Sequence, residues 1–183
     1  NELDTLWLLG RNTFETVKGR NANIIGWFKT LPYAYLDPCP RYLGVNTLVK
    51  PFDDPDVRWA LSYAINRDQV ISIGWEDMTA KNAWIMPGYP PLKAYMDKNQ
   101  DLFTKYNSLE NNAAKVEQLM TKKGFKKDAG GFLPGADGKR VTLTLIIRGG
   151  EADQVKMAPV VAELLKRAGF DASFKIQEVA AFT

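Results

Sequence analysis

Residues 141–177 constrain the fold more than any other stretch of this sequence. An apolar run from Val141 to Ile147 breaks at Gly149-Gly150, and Ala152 to Ala168 then repeats apolar residues at helical spacing. Asp171 to Gln177 follows at strand length. Two strands joined by a crossover helix of about sixteen residues form a parallel pair, right-handed by default. The fold class expected is α/β, or α+β, with a mixed sheet.

Upstream, residues 12 to 20 read as a short helix capped by Asn12 or Thr13 and ended by Gly19. Asn23 to Lys29 carries Ile24, Ile25, Trp27 and Phe28 and reads as a buried strand. Pro32, Pro38 and Pro40 mark an irregular connection, with Tyr42 to Asn46 as a strand leaving it. Asp53-Asp54-Pro55-Asp56 is the clearest helix start. An Asp caps, Pro55 suits the first helical position, and the acidic charge suits the positive end of the dipole. Val57, Leu61, Ala64 and Ile65 then keep the helical period. A second helix is expected over Arg67 to Ile73, capped by Asn66. Residues 84–95 read as irregular because Pro87, Pro90 and Pro91 fall close together. Ser108 is expected to cap a helix running to Lys123 and stopped by Gly124. A polar loop with a hairpin turn at Asp137-Gly138 precedes Val141.

Composition removes whole classes of chemistry. The 183 residues include no histidine and a single cysteine, Cys39. That excludes Ser-His-Asp and Cys-His nucleophiles, His-bearing zinc and iron sites, an internal disulfide and a CxxC site. A net charge of +3 is too small to announce a nucleic-acid partner. No apolar run approaches the ~20 residues that span a bilayer. Asn1 to Asp4 is not the start of a signal peptide, and the apolar Ala181-Phe182 end suggests a chain that stops inside a larger fold.

The candidate sites are few. Asp53, Asp54 and Asp56 could bind a hard cation, but they lack EF-hand spacing and capping accounts for them. Gly130-Gly131 through Gly138-Lys139 resembles a phosphate loop only superficially, since Lys139 precedes a strand and Arg140 stands where Ser or Thr is needed. Arg148, Gly149 and Gly150 lie at a strand's C-terminal end before a helix, where open α/β sheets place ligands. Arg148 could hold a carboxylate in bidentate fashion, and the glycines would admit a ligand to the backbone. Against that stands a plain strand-exit loop with an exposed Arg. Trp84, in the proline-broken segment, is an aromatic candidate for stacking on a solute. Trp27 reads as core from its apolar run and joins Trp84 as the second aromatic candidate. Trp59 reads as core and Cys39 as a buried, inert thiol.

The run from Asn46 to Arg67 carries a resemblance. Its Asn46-Thr47, Pro51-Phe52, acidic Pro55 cap, Val57-Arg58-Trp59-Ala60 and Ala64-Ile65-Asn66-Arg67 resemble the peptide/nickel class of extracytoplasmic solute-binding proteins that feed ABC importers. Tyr106-Asn107, Ala113-Ala114 and Leu119 agree with the family's next helix, and Val141 to Gly169 with its next βαβ step. The resemblance implies a type II periplasmic-binding-protein-like fold, with residues 1–183 forming part of the second lobe of a longer two-lobed clamp. It implies a non-catalytic monomer outside the cytoplasm, handing solute to a membrane permease, with no cofactor or metal. It also implies that Arg148 matches an arginine that grips a peptide carboxylate in a dipeptide-binding relative. Gly150, however, lacks the aromatic side chain found there. The acidic residue that holds a peptide's amino group in such relatives lies beyond a helix expected to begin near Val179.

Oligopeptide is the ligand the resemblance favours, with oligosaccharide as runner-up because of the tryptophans. A nickel ligand is disfavoured by the absent imidazole. Two other classes remain: a carboxylate-only enzyme such as a glycosidase, for which Glu76, Asp77 and Glu151 are available without a distinguishing spacing, and a protein–protein adaptor lobe.

Overall fold

The computed structural model describes residues 5, 10–33, 37–84, 86–135 and 137–182. Residues 1–4 and 6–9 near the N-terminus, 34–36 of the proline-marked connection, Ile85 beside Trp84, Ala136 of the glycine loop and Thr183 lie outside the described residues.

The strand–helix–strand unit forms as the sequence dictates. β1 (Thr142–Arg148) and β2 (Asp171–Gln177) pair in parallel, with Leu145 opposite Phe174, and α7 (Ala152–Ala168) crosses between them. Strand alternation puts Leu143, Leu145 and Ile147 beside Ala172, Phe174 and Ile176 on one face. Thr144 and Ser173 share the other face, their hydroxyls 3.4 Å apart. α7 packs on both strands and ends at Gly169, whose φ of 107° is the left-handed conformation that caps a helix without a Cβ penalty. An added Cβ there would also lie 2.9 Å from Leu133 Cγ.

α2 (Pro55–Ala64) and α6 (Ala113–Lys122) pack antiparallel and are clamped at both ends. At one end Asp54 Oδ1 accepts from the Asp56 amide at 2.8 Å, while Lys123 reaches Asp54 at 2.7 Å and Lys122 reaches Asp56 at 3.0 Å. The acidic start of one helix thus meets the basic end of the other, matching both dipoles. The lysines' hydrogen bonds hold the Asp54 and Asp56 carboxyls below their ordinary range. At the other end the Asn112 amide and Asn111 Nδ2 donate to Tyr63 O at 3.0 and 2.8 Å. The capping reading of the acidic cluster holds.

α3 (Arg67–Trp75) starts at Asn66, whose side chain accepts from the Gln69 amide at 3.1 Å. Arg67 turns back to the end of α2, donating to Ser62 O, Ile65 O and Ser62 Oγ. Arg58 donates to Phe52 O and Asp53 O at 2.7 and 2.9 Å. The Asn46–Arg67 signature is therefore a self-clamped helical corner. Val57, Leu61, Met120, Leu165 and Phe170, each 2 % exposed or less, join these helices to the sheet in one core. Full burial of a side chain of this size contributes about 1.5–3 kcal/mol.

Several expectations change. α1 (Arg11–Arg20) begins one residue early, has Gly10 as its N-cap without a side-chain bond, and runs through Gly19. Its missing cap is supplied from a distance by Glu76, which accepts from the Asn12 amide at 3.2 Å. Asn23 to Lys29 is neither strand nor buried: Ile25 is 84 % and Trp27 76 % exposed. Tyr42 to Asn46 forms no strand either, with Tyr42 86 % exposed. Apolar content without a partner edge or a sustained period does not make a strand. Residues 84–95 are irregular only at first. A 3-10 turn at Pro90–Leu92 leads into α4 (Lys93–Lys98), and α5 (Gln100–Lys105) follows. Asn112, not Ser108, caps α6 by accepting from the Lys115 amide at 3.0 Å, while Ser108 Oγ reaches Ala83 O at 3.4 Å. Cys39 is exposed rather than buried, and its thiol is raised by the hydrogen bond and charge of Asp37. Beyond β2, α8 (Val179–Phe182) starts where the resemblance placed a helix.

Candidate functional site

The strand exit after β1 is built by close backbone approach. The Gly149 amide donates to Gln177 O at 2.7 Å, and a Cβ at Gly149 would fall 2.7 Å from that same oxygen. At Gly150 a Cβ would meet Val179 Cγ2 at 3.2 Å. Both glycines are thus explained by packing against the end of β2 and the start of α8. Access for a ligand is not needed to account for them.

Arg148 stands at the end of β1, a little under half exposed, with Nη1 3.5 Å from Glu151 Oε1. Glu151 is the N-cap residue of α7, and its second carboxylate oxygen lies 3.3 Å from Arg41 Nη2. Arg41 Nε in turn donates to Asp153 Oδ2. Side chains from the end of β1, the start of α7 and the distant residue 41 therefore alternate in charge: Arg148, Glu151, Arg41, Asp153. Asp153 is the only buried charged residue among those described, 5 % exposed, and its Oδ1 has no hydrogen-bond partner. Its place in the first turn of α7 lets the helix dipole support the charge. Burial works against the Arg41 cation, but the hydrogen bond and field of Asp153, with the charges of Glu151 and Asp37, outweigh it and hold the guanidinium above its ordinary value.

Beside Asp153 lies a small cleft of about 20 Å³ lined by Gly10, Gly74, Trp75, Glu76, Ala152, Asp153 and Lys156. Lys156 closes it by donating to Glu76 Oε1 at 2.8 Å. That bond, with the amides at the start of α1, holds the Glu76 carboxyl below its ordinary range.

The aromatic candidates stand elsewhere. Trp84 is half-buried against Phe103 of α5, ring centroids 5.4 Å apart and tilted by 51°. Trp27 stands in the exposed 21–30 turn next to Gly26, which packs near Phe14 and the Tyr33 carbonyl. Trp27 is thus not core. Trp59, read as core, lies half-buried at the centre of an aromatic stack, 5.7 Å from Tyr63 and 5.6 Å from Tyr106. The sequence reading missed Arg41 and Asp153. Asp153 was accessible as an acidic residue in the first turn of α7, whereas Arg41 lies more than a hundred positions from its partners and left no local signal.

Among the described residues no group of three or more His, Cys, Asp or Glu side chains could hold a metal ion. Among them, too, no helix is long and apolar enough to cross a membrane.

The whole of residues 1–183 matches the family described as bacterial extracellular solute-binding proteins, family 5 Middle, and the chain belongs to that family. It is 30% identical over 137 residues to the oligopeptide-binding protein AppA of Bacillus subtilis, covering 75% of this chain and 24% of that one. It is 33% identical over 85 residues to the glutathione-binding protein GsiB of Pectobacterium atrosepticum, covering 46% of this chain and 15% of that one. The chain thus spans a quarter or less of the length of these relatives. Among solved structures, it is similar to the mannohexaose-bound periplasmic oligopeptide-binding protein of a Thermotoga maritima oligopeptide ABC transporter. The TM-score is 0.72 at 24% identity, over 97% of this chain and 32% of that one. AppA of Bacillus subtilis in complex with a nonapeptide gives a TM-score of 0.61 at 26% identity, over 76% of this chain and 26% of that one. These neighbours agree with the α/β lobe expected from the strand–helix–strand pattern.

Proposed function

We propose that this chain is part of the second lobe of a two-lobed ABC-importer receptor that captures an oligopeptide outside the cytoplasm. The observation that carries the reading is the family match along all of residues 1–183, supported by the AppA likeness over three quarters of the chain. The receptor works as a monomer, delivers its solute to a membrane permease and performs no catalysis. Binding of this kind needs a shaped surface and a few polar contacts rather than an activated nucleophile, which suits a chain without histidine. Closure of two lobes about a hinge would bury the solute and mark the loaded state for the permease. In this reading Arg148, with Gly149 and Gly150 behind it, contributes this lobe's polar contact, and Trp84 and Trp27 offer aromatic surface.

A second reading, oligosaccharide capture, is favoured by one specific observation: Arg148 is already paired with Glu151. The mannohexaose found in the Thermotoga maritima neighbour is in keeping with it. An adaptor lobe without a small-molecule ligand is the alternative of another class.

Calorimetry of the full-length protein against oligopeptides and glucan-type oligosaccharides tests these readings. Oligopeptide binding supports the first and saccharide binding the second, while binding of neither supports the adaptor. The 183-residue chain alone is expected to bind weakly or not at all, lacking the lobe that completes desolvation. Sub-micromolar binding by this chain alone would contradict the half-site account.

A further inference from the structure

The charge on Arg148 is matched before any solute arrives. Glu151 Oε1 lies 3.5 Å from Arg148, and Glu151 Oε2 lies 3.3 Å from Arg41. Both carboxylate oxygens are therefore engaged, and Arg41 is fixed in turn on the buried Asp153. The carboxylate is thus held between two cations, one of them itself fixed on Asp153. The four side chains sum to zero charge. A solute carboxylate approaching Arg148 would meet the like charge of Glu151 and would have to displace it. A carbonyl or hydroxyl oxygen meets no such opposition. It needs only one N–H donor, and a guanidinium has five, so Arg148 can serve it while keeping Glu151.

We propose that Glu151 is a specificity-determining residue which masks Arg148, so that the β1 exit accepts an uncharged oxygen of the solute and rejects a free carboxylate. The inference rests on the reading of Arg148 as a ligand contact and refines it. The subsite would take the interior amide of an extended peptide or a saccharide hydroxyl, rather than a peptide's C-terminal end.

The test uses the full-length protein carrying Glu151→Gln, Glu151→Asp or Arg148→Ala. Each is equilibrated with an equimolar pool of free-acid peptides and their C-terminal amides, and the retained species are quantified by mass spectrometry. Wild type should favour the amides. Glu151→Gln should raise the retained acid-to-amide ratio by about fivefold, the scale of one partly exposed charge contact. Glu151→Asp keeps the charge and should stay close to the wild-type ratio, which a merely structural role for Glu151 would not require. Thermal melts of each variant separate loss of folding from loss of selectivity. An unchanged ratio in Glu151→Gln, with retention lowered in Arg148→Ala, would overturn the masking role and leave Arg148 as a contact. Undiminished retention by Arg148→Ala, or retention of neither pool by any form, would overturn the reading on which the inference rests.

Discussion

Two regions rich in apolar residues have opposite fates in this molecule. From Phe52 ahead of α2 to Ala172 in β2, large side chains such as Leu61, Met120, Leu165 and Phe170 are almost wholly buried. Between Ile25 and Val49, by contrast, Ile25, Trp27, Tyr42 and Leu48 are 76 % exposed or more. The difference lies in spacing and punctuation rather than in hydrophobicity. The core segments repeat apolar residues at 3.6 or 2 positions and are bounded by Asp54, Asn66, Asn112 and Gly169 as caps. The 25–49 segment has prolines and no sustained period, so it presents no continuous face to bury.

The largest test of that contrast is a pair of truncations. Leu165→Ala, in the fully buried centre, should cost about 2–5 kcal/mol in urea unfolding, whereas Leu48→Ala should stay within about 0.5 kcal/mol. Comparable losses at both would contradict the contrast in burial. The link between the regions is next. Arg41→Ala removes the partner of a buried carboxylate and should cost about 2–3 kcal/mol, despite Arg41 lying in the exposed segment. At the α7 terminus, Gly169→Ala should cost about 1–2 kcal/mol, from its left-handed φ and the approach to Leu133, read as a lowered thermal midpoint.

Smaller and condition-dependent is the α2–α6 clamp. Asp54 and Asp56 have folded values below their unfolded ones, so their contribution is full above the ordinary carboxylate range of about 4. It is lost as pH falls through the depressed folded values. Lys123→Met should flatten that acid limb of a stability–pH profile, and an unaltered limb would remove the clamp from the account. Least in energy, limited trypsin digestion should cut after the exposed Lys29 before any site within α6.

The same contrast explains what could be read in advance. β2 and α7 fall where the sequence put them, because strand alternation, helical period and the Gly169 stop all agree. The 23–29 and 42–46 segments defeated the reading because apolar runs of strand length look alike whether or not an edge exists to pair with. At the candidate site, the position of Arg148 at a strand exit was legible, because the break at Gly149-Gly150 marks it. The glycines beside it have a packing reason that the sequence did not carry: they clear Gln177 O and Val179. Arg41 and its bond to Asp153 were not legible at all, since contacts between distant segments follow from packing and leave no local pattern.

Hydrogen exchange of the full-length protein, with and without saturating oligopeptide, reads solute contact at the β1 exit residue by residue. If this chain is a solute-binding lobe that uses the β1 exit, exchange should slow across 148–152 and 178–182 on peptide addition and stay unchanged across α6. Protection confined to other segments, with 148–152 unaltered by a peptide that demonstrably binds, would contradict it.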